Sequence, residues 1–251
     1  MSAESTYVID SLVMPGESLF GAGIAEARLF ETLTRAGIEA AVLVAPRGQD
    51  YVLPVGNDRI AALVREAPDT RRQLGRVDPN HRDALAEVDR CVLELGVAGF
   101  YLNPREENFA IDGRRAAAVL ESVAEHGLPL VVQSGVPWVS EPLQVAVVAE
   151  RHPELDIVMT NGGQFNISGL GQADAFESLE RCPRLRINTS GVYRQDFIDG
   201  VIDRFGASRV LFASSCPVFD PRYELLRVLG ADCSPQDRAT VAAATARGLF
   251  W

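Results

Sequence analysis

Four residues whose side chains could take part in catalysis lie within or directly after predicted strands: Asp10, Gln133, Asn161 and Ser215. Asp10 could act as a general base, or as a structural hydrogen-bond acceptor with no part in the chemistry. The two amides and the hydroxyl could orient a ligand and donate hydrogen bonds to a developing oxyanion or enolate. A buried amide without a partner costs about 1–3 kcal/mol. These side chains therefore predict a ligand, or ordered water, that uses them.

Eight further residues are candidates for contact with that ligand: Leu12, Met14, Asn103, Arg105, Trp138, Phe165, Arg194 and Cys216. Their apolar members would form one wall of a pocket, with Asn103 among the polar groups on the other wall. Arg105 and Arg194 could hold a carboxylate of the ligand, or be solvated loop residues. Cys216 is interpreted as a wall residue or as a nucleophile, and the second role would require a depressed thiol pKa.

Composition narrows the class of partner. The 251 residues carry a net charge of −10, and all 24 basic residues are arginine, since the sequence contains no lysine. An acidic chain without a basic cluster repels nucleic acids and anionic membranes, so a small molecule is the expected partner, and a homo-oligomer is left open. The absence of lysine excludes Schiff-base chemistry and a phosphate-binding P-loop. Four widely spaced cysteines, with no secretory leader ahead of them, indicate reduced thiols in the cytoplasm.

The elements that must position these side chains alternate along the chain, with short apolar runs followed by segments of helical periodicity. Strands are predicted at residues 7–13, 40–45, 73–77, 97–102, 129–134, 156–161, 185–189 and 209–214. Eight such units predict an α/β fold, a (β/α)8 TIM barrel over residues 7–229, within a single domain of residues 1–251. An additional C-terminal helix over residues 235–248 is expected to pack on the outside of the barrel.

The carboxyl ends of barrel strands carry the active site in this architecture. Strand alternation would place Asp10, Leu12 and Met14 on one inward face of the first strand. The same reasoning turns Gln133 and Asn161 inward at the ends of the fifth and sixth strands. The sequence therefore predicts one pocket at this end of the barrel.

Five segments, in this order, resemble the amidohydrolase-related family: residues 8–14, 96–104, 127–135, 151–163 and 209–217. The first of them reads Val-Ile-Asp-Ser-Leu-Val-Met. The resemblance is to the branch that holds decarboxylases of the aminocarboxymuconate-semialdehyde type and small lactonases. It covers nearly the whole chain and implies a (β/α)8 barrel, in agreement with the eight predicted units.

The resemblance implies a metal site, but another residue type stands at each of the expected ligand positions in this sequence. The family's first-strand motif is Ile-Asp-x-His-x-His, and its two histidines fall on Leu12 and Met14 in this sequence. The histidines of the fifth and sixth strands fall on Gln133 and Asn161, and the aspartate of the eighth-strand Gly-Ser-Asp falls on Ser215. Leucine has no donor atom, and thioether, amide and hydroxyl groups are poor ligands for a divalent first-row metal. We therefore predict no metal and no cofactor.

These observations favour a metal-independent hydrolase or lyase that acts on a small organic molecule, with decarboxylase-like or lactonase-like chemistry. The alternatives are a catalytically inactive protein that binds a metabolite or a partner protein, and a metal arrangement that the spacing does not reveal. A deep, polar pocket with a titratable group inside it would favour the enzyme. A mouth closed by Met14, Trp138 or Phe165 would favour the inactive protein.

Overall fold

The sheet of the protein has eight parallel strands in chain order, as described by a computed structural model of residues 7–21, 23–164 and 169–251. The strands are β1 (Ile9–Val13), β2 (Ala40–Val44), β3 (Arg71–Arg76), β4 (Gly99–Leu102), β5 (Leu130–Val132), β6 (Ile157–Met159), β7 (Leu185–Asn188) and β8 (Val210–Leu211). Aliphatic residues dominate most of them because the sheet is buried on both faces, against the surrounding helices outside and against a cluster of side chains inside the barrel. This interior cluster consists of Ile9, Leu12, Ala40, Val42, Val44, Leu74, Tyr101, Val131, Val158, Leu211, Ala213, Ala243, Ala246 and Phe250. The predicted (β/α)8 TIM barrel is confirmed, with most strands shorter than predicted.

Helices follow the strands and cover the outside of the barrel. In the described residues they are α1 (Glu26–Arg35), α2 (Leu53–Glu66), α3 (Ala84–Arg90), α4 (Arg114–Glu125), α5 (Pro142–Arg151), α6 (Gly169–Arg181), α7 (Gln195–Phe205), α8 (Pro221–Leu229), α9 (Pro235–Ala239) and α10 (Thr245–Phe250). Their apolar faces are buried against the sheet, as Leu29 and Leu33 of α1 illustrate. No helix in the described ranges is long and apolar enough to cross a membrane.

The barrel closes by backbone hydrogen bonds between β1 and the segment after β8. The amide of Ser11 donates to the carbonyl of Phe212 at 3.0 Å, and the amide of Met14 donates to that of Cys216 at 2.8 Å. A β-bulge interrupts the pairing of β1 with β2, so that Ile9 and Leu12, three residues apart, both join the interior cluster. The strict alternation that predicted one shared face for β1 therefore does not hold along the whole strand.

The C-terminal helical segment closes the amino-terminal end of the barrel. Helix α9 has no buried residue, whereas Ala246 and Phe250 of α10 belong to the interior cluster. The indole Nε1 of Trp251 donates to the carbonyl of Asp69, just before β3, at 3.2 Å. The prediction that this segment packs on the outside is wrong for α10, because its apolar residues fill the open bottom of the barrel.

Candidate active site

A cavity of about 260 Å³ opens at the carboxyl ends of the strands. Its lining comes from β4 and from the loops after β1, β2, β4, β5, β6 and β8. Six of the residues predicted for the site contribute to it: Met14, Asn103, Arg105, Gln133, Asn161 and Ser215. The convergence of these positions at one end of the barrel is therefore observed.

The amides of Gln133 and Asn161 are hydrogen-bonded to each other. The Nε2 of Gln133 donates to the Oδ1 of Asn161 at 3.2 Å. The hydroxyl of Thr160 lies 2.8 Å from the same Oδ1 and 3.2 Å from the Oε1 of Gln133. The Nδ2 of Asn161 donates to the carbonyl of Ser190 at 3.0 Å. The expectation that these amides lack protein partners is therefore wrong, because groups following β5, β6 and β7 satisfy one another.

The network nevertheless keeps donors for a ligand. The Nδ2 of Asn103 donates to the hydroxyl of Tyr101 at 3.3 Å, which extends the network across β4. Each carboxamide nitrogen carries two N–H groups. Among the described residues, the amides of Asn103, Gln133 and Asn161 each donate to one acceptor. Each therefore keeps a second N–H that has no acceptor in the described ranges, on a residue that lines the cavity.

A left-handed turn after β6 positions Asn161. This residue has φ 56°, a conformation that asparagine adopts more readily than most residues, and Gly162 and Gly163 follow with φ 59° and φ 74°. A Cβ at Gly162 would lie 2.7 Å from the ring of Phe197. The sequence Asn-Gly-Gly thus folds the chain sharply and turns the Asn161 amide toward Gln133.

Apolar side chains from the loops after β1, β2 and β8 form the rest of the lining: Met14, Phe20, Pro46, Pro217, Val218 and Phe219. Leu12 is fully buried in the interior cluster and is not part of the lining. Trp138 does not line the cavity, contrary to expectation, and is 85% exposed. Its loop is closed by a hydrogen bond from the Gly135 amide to the Ser140 carbonyl, which carries the indole into solvent. Phe165 lies outside the described residues.

Of the two arginines predicted to hold a carboxylate, Arg105 lines the cavity and Arg194 does not. Arg194 is half-exposed and forms an ion pair with Asp196, two residues along the chain, so it is a solvated loop residue. Glu106, which sequence reasoning missed, also lines the cavity. In the part of the chain that the structure describes, the cavity thus contains titratable groups and is open, which is the arrangement expected of the enzyme.

A buried chain of alternating charges lies behind Glu106. Its carboxylate is 2.5 Å from the guanidinium of Arg76, which is fully buried and is also 2.6 Å from Glu107. Glu107 in turn pairs with Arg47 at 3.0 Å. Burial alone would lower the pKa of Arg76, but the two glutamates hold it above its ordinary value. The signal in the sequence was an arginine near the carboxyl end of the third predicted strand, residues 73–77.

Asp10 is fully buried at the seam of the barrel and does not line the cavity. One carboxylate oxygen accepts the backbone amides of Ser214 at 2.9 Å and Leu12 at 3.2 Å, and the other accepts the Ser214 hydroxyl at 2.5 Å. Burial raises the pKa of Asp10 to about 7, although these hydrogen bonds act to lower it. This geometry agrees with the structural alternative, and a direct role as general base stays a prediction.

Ser215 and Cys216 follow β8 side by side, but only Ser215 lines the cavity. Ser215 has φ 51°, an uncommon backbone conformation for serine that turns the chain at the mouth. Cys216 is 2% exposed, and burial raises the pKa of its thiol to about 12, with a further contribution from Asp10. A thiol in this state forms little thiolate, so the geometry favours the wall interpretation.

Comparison with known proteins places this barrel in a family. A family model described as amidohydrolase matches residues 10–250. The chain belongs to the amidohydrolase family. No curated protein matches the chain. Family membership accounts for the order of the five segments around the mouth of the barrel.

Solved structures resemble this chain over nearly its full length. It is 16% identical to 5-carboxyvanillate decarboxylase from Sphingomonas paucimobilis, with a TM-score of 0.77, covering 98% of this chain and 99% of that chain. An uncharacterized TIM-barrel protein from Bordetella bronchiseptica is 20% identical, with a TM-score of 0.79, covering 97% and 98%. A dihydroxybenzoic acid decarboxylase from Polaromonas sp. JS666, with bound manganese, is 16% identical, with a TM-score of 0.75, covering 98% and 97%. At these identities the likeness shows the fold.

The side chains present in this chain do not fit a divalent metal at the positions where the family resemblance implied one. Leu12 has no donor atom and Met14 offers a soft thioether. The amides of Gln133 and Asn161 are engaged with each other. Within the described ranges, no group of three or more His, Cys, Asp or Glu could hold a metal ion. Neutral hydrogen-bond donors therefore occupy the part of the barrel where the family resemblance implied metal ligands.

Proposed function

We propose that the protein is a metal-independent lyase or hydrolase of the amidohydrolase family, acting on a small organic molecule in the cavity at the barrel mouth. The observation that carries this proposal is the lining of that cavity. The cavity has a volume of about 260 Å³, slightly smaller than common ligand pockets. Amides that each keep a second N–H, an apolar surface and Arg105 line it together. A weakly polar, conjugated acid or a lactone fits these groups.

The chemistry assigned to this lining is stabilisation of negative charge on a ligand oxygen. In a decarboxylation, the electron pair of the breaking carbon–carbon bond moves into the conjugated system as CO2 leaves, and a proton from solvent replaces the lost group. The amides of Gln133 and Asn161, with the hydroxyl of Ser215, would donate to the oxygen on which that charge develops. Arg105 would hold the carboxylate before it leaves. Asp10 would hold Ser214, and through it the turn at Ser215.

The fold neighbours support a decarboxylase more than other lyases. Two of them are named as decarboxylases of aromatic carboxylic acids, although the likeness to this chain is one of fold. The free cysteines support a reducing, cytoplasmic location, as composition predicted. A small-molecule substrate remains the proposed partner, with no role for nucleic acid or membrane.

One observation favours a second candidate, a protein that binds a metabolite without turning it over. Glu106, the carboxylate that lines the cavity, is paired with Arg76, and the buried Asp10 is paired with Ser214. These partners occupy lone pairs of both carboxylates, which leaves each of them less suited to act as a general base. Binding without turnover is therefore the outcome against which the proposal is tested.

The test is turnover by purified protein with and without a chelator. 5-Carboxyvanillate, 2,6-dihydroxybenzoate and a set of aryl lactones are incubated with the wild type and with Gln133→Ala, and products are followed by mass spectrometry. We expect turnover of at least one compound that survives the chelator and falls at least about tenfold in the variant. Chelator-sensitive turnover would contradict metal independence. Saturable binding without any product would establish the second candidate.

A further inference from the structure

Tyr101 is a part of the cavity that neither the sequence motifs nor the family resemblance singled out. It belongs to β4, its side chain is fully buried, and its ring packs in the interior cluster of the barrel. The residue also lines the cavity, where its hydroxyl accepts a hydrogen bond from Asn103. The same hydroxyl donates to the Oε1 of Gln133 over 3.4 Å, which is a long hydrogen bond.

The polar network contains one more donor than its two amide oxygens require. Three hydrogens point at the Oε1 of Gln133 and the Oδ1 of Asn161: those of the Tyr101 hydroxyl, the Thr160 hydroxyl and the Nε2 of Gln133. If the Thr160 hydroxyl turns to Gln133, the Nε2 of Gln133 still serves Asn161. Both oxygens then keep a partner without Tyr101. The Tyr101 hydrogen is therefore free to be given to a ligand.

The surroundings of Tyr101 keep its hydroxyl protonated and therefore able to donate a hydrogen bond. Burial raises the pKa of its phenol, against the effect of Arg76, so the hydroxyl remains protonated at neutral pH. The Arg76 guanidinium carbon lies 5.5 Å from the centre of the ring. A protonated phenol is suited to sharing its hydrogen with an anionic oxygen.

We propose that the Tyr101 hydroxyl, with the second N–H of Asn103, binds the anionic oxygen of a phenolate or enolate ligand. This inference rests on the proposed function and deepens it, since it names the substrate class and a further catalytic residue. Thr160 compensates within the network by turning to Gln133. The site would select conjugated ligands that carry an ionised oxygen over the same ligands with that oxygen blocked.

The test compares two ligands that differ only in that oxygen. 4-Nitrophenol, at a pH where it is a phenolate, and 4-nitroanisole are titrated into the wild type, Tyr101→Phe and the control Tyr223→Phe, whose side chain is exposed on α8. Binding is followed by calorimetry and by the visible band of the phenolate. We expect Tyr101→Phe to bind the phenolate about ten- to a hundredfold more weakly, the anisole unchanged, and the control as the wild type.

A second variant keeps the test decisive if Tyr101→Phe fails to fold. Asn103→Asp retains the side-chain oxygen that accepts the Glu106 amide, but places a carboxylate beside the Tyr101 hydroxyl. It should lose phenolate binding and keep anisole binding. Equal loss of both ligands in either variant, or no preference of the wild type for the phenolate, would overturn the proposal. Phenolate-selective binding without turnover of any substrate would leave this site standing and refute the proposed enzymatic function.

Discussion

Replacing Asp10 by asparagine should remove a pH dependence of stability that this one carboxyl creates. Its pKa is about 7 in the folded protein, against an ordinary value of 3.8. Between these two values the folded state binds more protons than the unfolded state, so the free energy of unfolding falls as pH rises. The difference corresponds to about 4 kcal/mol at full ionisation, at about 1.4 kcal/mol for each tenfold change in proton affinity.

Asparagine suits the site because the partners of Asp10 are divided between its two oxygens. The remaining oxygen would still accept the amides of Ser214 and Leu12, and the new amide nitrogen would donate to the Ser214 hydroxyl. Asp10→Asn should therefore fold, and should gain stability relative to the wild type as pH rises from 5 to 8. The expected gain over that range is roughly 2 to 3 kcal/mol.

Urea denaturation of both proteins at several pH values measures this gain. Asp220→Asn is the matched control, because Asp220 caps α8 at the surface and its hydrogen bond from Arg222 lowers its pKa. In the wild type that carboxyl contributes stability above its unfolded pKa, which is lost as pH falls, so its removal acts with the opposite sign. Parallel pH profiles for wild type and Asp10→Asn would refute the account of Asp10 as a buried carboxyl that resists ionisation.

Three further predictions concern the cavity. Elemental analysis of protein purified without added metal should find no stoichiometric zinc, manganese or iron, and a near-stoichiometric metal lost on mutating Gln133 would contradict the donor-set argument. Gln133→Ala and Asn161→Ala should each lower turnover or ligand affinity at least about tenfold, whereas wild-type behaviour of both folded variants would move the site elsewhere. Cys216→Ser should keep most of any activity, and alkylation of Cys216 near neutral pH should be slow, since burial raises the pKa of its thiol to about 12. Inactivation of this variant, together with alkylation of the wild type that a ligand prevents, would instead make Cys216 a nucleophile.

Much of the fold and half of the site could be predicted because both depend on local patterns. Apolar runs alternating with helical periodicity predicted the eight units, and in a barrel the strand ends meet at one face. These two patterns were sufficient to predict that Asn103, Gln133 and Asn161 lie in one cavity. They were not sufficient for Trp138 and Arg194, because a side chain on a loop points wherever the turn directs it.

The residues that sequence reasoning missed depend on long-range pairing. Tyr101 looks like a core aromatic of a strand, and only the hydrogen bond to Gln133, 32 residues away, shows that its hydroxyl reaches the cavity. Arg76 and Glu106 are 30 residues apart and are recognised as partners only when β3 and β4 are side by side. Asp10 was placed inward by alternation, but the bulge in β1 and the Ser214 contact decide its surroundings.

The seam of the barrel has a consequence for how the chain folds. The hydrogen bonds that close it join residues far apart in the chain, as Ser11 with Phe212 and Asp10 with Ser214, the latter 204 positions apart. The bottom is filled by residues as late as Phe250. Without residues 210–216, β1 has a partner strand only on its β2 side, and its other edge is unsatisfied. Such an edge is a template for association with other chains. Barrel closure therefore requires residues 210–251, and the free edge of β1 is available for association with other chains until they are in place.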